Sequence, residues 1–96
     1  MLIHLRAVMD VALALGGKEQ ILDISDGLTL EELIAFLIDK YGEGLEALLL
    51  KEREPVELLP HIKIYINGRS PGFLQGFNTV LQNEDDVMIM PQLSGG

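Results

Sequence analysis

A chain of 96 residues makes one domain, large enough to bury a core without staples, and its apolar fraction of 48% argues against intrinsic disorder. It has no cysteine, which excludes a disulfide framework, thiolate zinc sites, iron–sulfur clusters, a cysteine nucleophile and a persulfide carried on the chain. Seven basic against fifteen acidic side chains give a net charge of −8, which repels a nucleic-acid backbone and attracts a basic protein partner.

Residues 2–8 alternate as a strand, with Ile3, Leu5 and Ala7 facing in and His4 and Arg6 facing out. Met9 to Leu15 suits a short helix, stopped by Gly16-Gly17. Gln20 to Ser25 reads as a second strand with Leu22 and Ile24 inward. The next helix carries the clearest local signal. Thr29 and Glu32 form a capping box, and Leu28 and Leu33 occupy the staple positions. Leu30, Leu33, Ile34, Leu37, Ile38 and Tyr41 then form one continuous apolar stripe. Glu31 and Glu32 sit at the positive end of the helix dipole and Lys40 at the negative end, and Gly42 closes the helix.

Leu45 to Leu50 adds a further turn or two. Lys51 to Pro60 is polar and bracketed by prolines, so it is expected to be a surface loop. Ile62, Ile64 and Ile66 define a strand with Lys63 and Tyr65 on its other face, and Asn67-Gly68 signals a turn. Ser70 to Phe77 is expected to be irregular. Glu84-Asp85-Asp86 reads as a charged turn before a last strand, Val87 to Met90, which ends at Pro91. One main helix against one face of a mixed sheet is a β-grasp (ubiquitin-like) arrangement, an α+β fold. The expected division is a domain over 1–91 and a flexible tail over 92–96.

The longest strictly apolar run, Leu33 to Ile38, is far short of the ~20 residues that span a membrane. The N-terminus lacks the pattern of a signal peptide, and the reading is a cytoplasmic protein without membrane or nucleic-acid partners. A self-contained active site is not legible. Gly16-Gly17-Lys18 lacks the flanking residues of a phosphate loop. His4 and His61 lack metal-ligand spacing, and Ser25, Ser70 and Ser94 carry no nucleophile motif. No metal site is expected, and no catalytic residue.

The end of the chain stands out. The five residues after Pro91 can extend about 17 Å, enough to enter a partner's pocket. Gly95 and Gly96 have no β-carbon, so they fit a narrow channel and leave a terminal carboxylate unhindered. A frayed end is the plain alternative.

On these residues the sequence resembles the MoaD/ThiS-type ubiquitin-like sulfur carriers, closest to their molybdopterin synthase small-subunit branch. Ile62 to Gly68 resembles the family's third strand and turn. Phe73-Leu74-Gln75-Gly76 with Thr79 and Leu81 resembles the stretch before the last turn, and Asp85, Val87, Pro91 and Gly95-Gly96 match the last strand and tail. Asn83-Glu84-Asp85 stands where the family usually has Asp-Gly-Asp, and Asn83 is the expected bearer of any positive φ there. Gln92 replaces a common second proline, and Ser94 precedes the glycines.

The resemblance implies that an E1-like activating enzyme uses ATP to adenylate Gly96, and that a sulfur donor system then converts it to a thiocarboxylate. That group would enter the large molybdopterin synthase subunit and give up its sulfur in molybdenum or tungsten cofactor biosynthesis. The chain would be non-catalytic and hold no permanent cofactor. The same tail also suits a carrier for thiazole or tRNA thiolation, a ubiquitin-like modifier conjugated through Gly96, or an interaction domain whose glycines are idle. If the first and third main strands flank the last, His4, Lys63, Tyr65 and Met88 share the sheet's free face, with Met90, Pro91 and Leu93 leading to the tail. This is the expected partner-binding surface.

Overall fold

Alternation decides the strands and the capping box decides the main helix. The computed structural model describes residues 1–70 and 75–92. In chain order it has β1 (Leu2–Ala7), α1 (Met9–Leu15), β2 (Glu19–Asp23), α2 (Leu30–Tyr41), α3 (Glu43–Leu49), β3 (Leu50–Glu52), β4 (Glu57–Leu58), β5 (Ile62–Ile66), a 3-10 turn (Gly76–Asn78) and β6 (Asp85–Pro91). The main sheet has four strands in the order β2-β1-β6-β5. β1 pairs antiparallel with β2 and parallel with β6, and β5 is antiparallel to β6. This is the expected mixed sheet of a β-grasp fold. Strands from the two ends of the chain thus lie side by side at its centre.

α2 begins as its sequence dictates. The Glu32 N–H donates to Thr29 Oγ1 at 3.2 Å, and the Thr29 N–H donates to Glu32 Oε1 at 3.1 Å. Its stripe residues Leu30, Leu33, Ile34, Leu37 and Ile38 are buried against Ile3, Leu5, Leu22, Ile62, Ile64, Val87 and Ile89 of the sheet. Tyr41 is half-buried, and its hydroxyl donates to Gln20 Oε1 at 2.7 Å, tying the end of α2 to β2.

The segment Lys51–Pro60, expected as a loop, instead carries a second, two-stranded sheet. β3 pairs antiparallel with β4. The reason is apolar punctuation within a charged run. Leu50 pairs with Leu58, and the Leu59 N–H donates to the Leu49 carbonyl at 2.8 Å. Arg53 at the turn reaches Asp39 of α2 and Glu46 of α3, at 3.1 and 3.0 Å. The hydrogen bond to Asp39, followed by that to Glu46, holds its guanidinium above the usual arginine range. These exposed pairs orient the hairpin and add little stability.

The last strand is longer than expected, starting at Asp85. Asp85 is buried and belongs to no solvated turn. Its Oδ2 accepts from the Gln82 N–H at 2.8 Å and its Oδ1 accepts from Asn67 Nδ2 at 2.9 Å. The positive φ of this turn falls on Glu84, at 70°, and not on Asn83. Asn83 instead holds the neighbouring strand, its Oδ1 accepting from the Leu2 N–H at 2.7 Å. No helix among the described residues is long and apolar enough to cross a membrane.

Candidate functional site

β6 organises the open face of the sheet. Its buried residues Val87 and Ile89 point towards α2, so Asp86, Met88 and Met90 point the other way. Register supplies their neighbours. Met88 lies between Arg6 of β1 and Tyr65 of β5, and Met90 lies opposite Lys63. One step back along the strand, Asp86 lies between His4 and Asn67, and His4 in turn has Ile21 of β2 on its far side. The structure therefore brings His4, Lys63, Tyr65, Met88 and Met90 onto one face, as the alternation predicted.

This face has a half-buried apolar spine with a polar surround. Tyr65, Met88 and Met90 are half-buried, while His4, Arg6, Ile21 and Lys63 are exposed. Arg6 Nε donates to Asp86 Oδ1 at 2.9 Å, both side chains remaining well exposed. Polarizable thioethers beside a tyrosine make a contact surface that adapts to a partner. Arg6, Lys63 and His4 give this face its basic groups, in contrast to the strongly acidic whole.

Three members of the face are not among the residues that the sequence assigns to it. Arg6 was within reach, because it shares His4's phase on β1. Asp86 was set aside as part of a charged turn. Ile21 was hidden in a strand whose register with β1 no local pattern fixes.

Pro91 ends β6 opposite Ile62. It has the phase of the buried residues, so it does not share the Met88 face. Towards β5 it takes a position that makes no ladder bond, so its missing N–H breaks nothing there, and the Gln92 N–H beyond it still donates to the His61 carbonyl at 2.6 Å. Leu93, Gly95 and Gly96, expected to carry the tail's chemistry, lie outside the described residues, as do Phe73 and Leu74.

An open cleft of about 600 Å³ borders β5, lined by Val56, Leu58, Leu59, Phe77, Tyr65 and Gln92 among others. Among the described residues its only ionisable groups besides Tyr65 are Glu57 and Lys63, which form no catalytic constellation. The two histidines are far apart. His4 pairs with Asp86, whereas His61 lies beside Gln92, six residues further along β6 or about 20 Å. Among the described residues no group of three or more His, Asp or Glu side chains could hold a metal ion. What the geometry offers is a face of half-buried apolar and exposed basic side chains on the strand that precedes residues 93–96.

Comparison with known proteins agrees with the fold. The sequence profile of the ThiS family matches residues 10–96. A protein of Archaeoglobus fulgidus named "putative sulfur carrier protein" is 36% identical over 72 residues, covering 75% of this chain and 78% of that one. Small archaeal modifier protein 3 of Haloferax volcanii is 30% identical over 81 residues, 84% of each chain. The solution structure of small archaeal modifier protein 1 from Methanosarcina acetivorans has a TM-score of 0.75 and 28% identity, over 99% of this chain and 96% of that one.

Proposed function

The chain belongs to the ThiS family of ubiquitin-like sulfur carriers, and from that premise we propose that Gly96 is its working end. Proteins of this kind are typically non-catalytic and work with E1-like enzymes and catalytic partner subunits. In our reading an E1-like enzyme joins the Gly96 carboxylate to AMP, releasing pyrophosphate from ATP. A sulfur donor displaces the AMP and leaves a thiocarboxylate on Gly96. The carboxylate oxygen is a poor leaving group and adenylate is a good one, so activation must precede sulfur transfer.

The observation that carries this reading is the course of β6. It is a central strand, bonded on both sides, and it runs directly into the segment ending in Gly95-Gly96. A partner docked on Met88, Tyr65 and Met90 would therefore hold the base of the tail at a fixed distance from its own active site. Residues 1–91 act as the docking domain and 92–96 as the arm. Pro91 is the last residue of β6, and Leu93 supplies an apolar contact for the channel that receives the arm.

For the destination of the sulfur we favour molybdopterin synthesis, with the large synthase subunit as acceptor and source of the catalytic groups. The resemblance over Ile62–Gly68, Thr79, Leu81 and Pro91 supports it. A second reading has its own support. The 30% identity to small archaeal modifier protein 3, over 84% of both chains, favours conjugation of Gly96 to lysines of other proteins. Mass spectrometry of the protein recovered from its own cells separates them. An oxygen-to-sulfur exchange at the terminus, lost when the acceptor subunit and its substrate are supplied, is the carrier's signature. Higher-mass conjugates that survive reduction, joined through Gly96, are the modifier's. A terminus that never changes overturns both.

A further inference from the structure

The two outer strands of the main sheet end differently. On β5, Asn67 N–H and the His61 carbonyl bond to β6, so Ile62, Ile64 and Ile66 turn their backbone groups outwards. The chain caps both ends of this edge itself, leaving Ile64 between them: the Ile62 N–H donates to the Leu59 carbonyl at 2.9 Å, and the Ile66 N–H to the Arg69 carbonyl at 2.8 Å. On β2 the same parity argument gives a different result. The Ala7 N–H donates to the Lys18 carbonyl and the Ile24 N–H to the Met1 carbonyl, both at 2.9 Å, so Glu19, Ile21 and Asp23 point their backbone groups away from β1. None of these three backbones has a partner among the described residues.

An open edge is a template for another strand. Here the residue at its centre is Ile21, 65% exposed although it sits mid-strand. Beside the end of the edge, Asp23, Ile24, Ser25 and Leu28 form a shallow cleft with Phe36 of α2, itself 38% exposed. An added strand would thus find apolar surface on both faces: Ile21 on the open side and Phe36 on the helix side.

Charge selects the occupant. A second copy of this chain, paired antiparallel in the register that uses all three open residues, would set Ile21 against Ile21 but Glu19 against Asp23 twice. Like charges directly opposite oppose pairing. A strand with Lys or Arg two residues to each side of an apolar residue reverses both penalties. We propose that the β2 edge is a strand-addition site for an extended segment of a partner protein, of the pattern basic–x–apolar–x–basic. This edge is formed by the backbone of β2, shares only the Ile21 side chain with the open face, and does not depend on the tail or on sulfur chemistry.

The probe is the capped peptide Lys-Val-Ile-Val-Lys, titrated into the full-length isotope-labelled protein and followed by amide NMR. The expected shifts centre on Glu19, Ile21, Asp23 and Phe36. The peptide with Glu in place of both Lys should bind about tenfold more weakly. N-methylation of the peptide's Ile, whose N–H would face β2, should abolish binding, while N-methylation of its Val residues should not. The double variant Glu19→Lys with Asp23→Lys should reverse the preference between the two peptides. No shifts at millimolar peptide, shifts centred on β5 or β6, or indifference to peptide charge or to the site of N-methylation would overturn the proposal. So would dilution-dependent shifts of Glu19, Ile21 and Asp23 without peptide, which would assign the edge to a second copy.

Discussion

Asn67 and Asp86 are joined twice: the Asn67 N–H donates to the Asp86 carbonyl at 2.7 Å, and the Asp86 N–H donates back to Asn67 Oδ1 at 2.9 Å. The Asn67 amide Nδ2 also donates to the buried Asp85 carboxylate at 2.9 Å. One side chain thus fixes the start of the strand that leads to the tail.

Asn67 also has a φ of 52°, in the left-handed region, followed by Gly68 at 80°. Two effects can therefore be separated by substitution. Asn67→Gly loses the side-chain bonds and keeps the backbone geometry, and should cost about 1–3 kcal/mol. Asn67→Ala adds left-handed strain and should cost about 1 kcal/mol more. Urea unfolding of the two variants measures both. Equal midpoints would mean that the turn moves to relieve Ala.

The turn before β6 makes an opposite prediction. Glu84 has a φ of 70°, and its N–H donates to the Leu2 carbonyl at 2.6 Å. Glu84→Gly relieves the strain of a side chain in this region at a smaller cost in unfolded-state entropy, and should stabilise by about 0.5–1 kcal/mol. Asn83→Gly removes the bond to the Leu2 N–H and should destabilise by about 1 kcal/mol. A thermal melt in which the two variants shift the same way would contradict this assignment.

These turns mark where sequence patterns stop. The Thr29–Glu32 box, the Leu30–Ile38 stripe and the alternation of Ile62, Ile64 and Ile66 report local geometry, and the elements lie where those patterns put them. Which side of the Asn83–Glu84 pair takes the positive φ depends on bonds to Leu2, 81 residues away for Asn83, and no local pattern carries that. The β3–β4 hairpin was missed because charged residues outnumber the leucines that anchor it. The open face was legible for Met88 and Tyr65 because alternation alone sets their side. Ile21 and Asp86 join it through register, which is a tertiary property.

Burial predicts the cost of altering the helix. Leu33 and Leu37 are 0% exposed. Leu33→Ala and Leu37→Ala should each cost roughly 2–5 kcal/mol, a large share of what a domain this size holds in reserve. Loss of function in these variants would then track loss of fold in the melt. Native-like melting of both would mean that α2 presents another face to the sheet.

Met88 offers the converse test. It is half-buried on a face that the core does not use. Met88→Asp should fold as the parent does and bind both the activating enzyme and the acceptor subunit at least tenfold more weakly, about 1.4 kcal/mol or more. Titration calorimetry with each partner reads this directly. Unchanged affinity for both would remove the open face from the account.

The most direct test is to add one alanine after Gly96. The addition lies beyond Pro91 and should leave the melting temperature unchanged, while ATP-dependent AMP transfer by the cognate activating enzyme and the subsequent thiocarboxylate both disappear from the mass spectrum. If the extended protein, shown by its mass to be unprocessed, is adenylated and thiocarboxylated at the parent rate, Gly96 is not the working end and the carrier account fails.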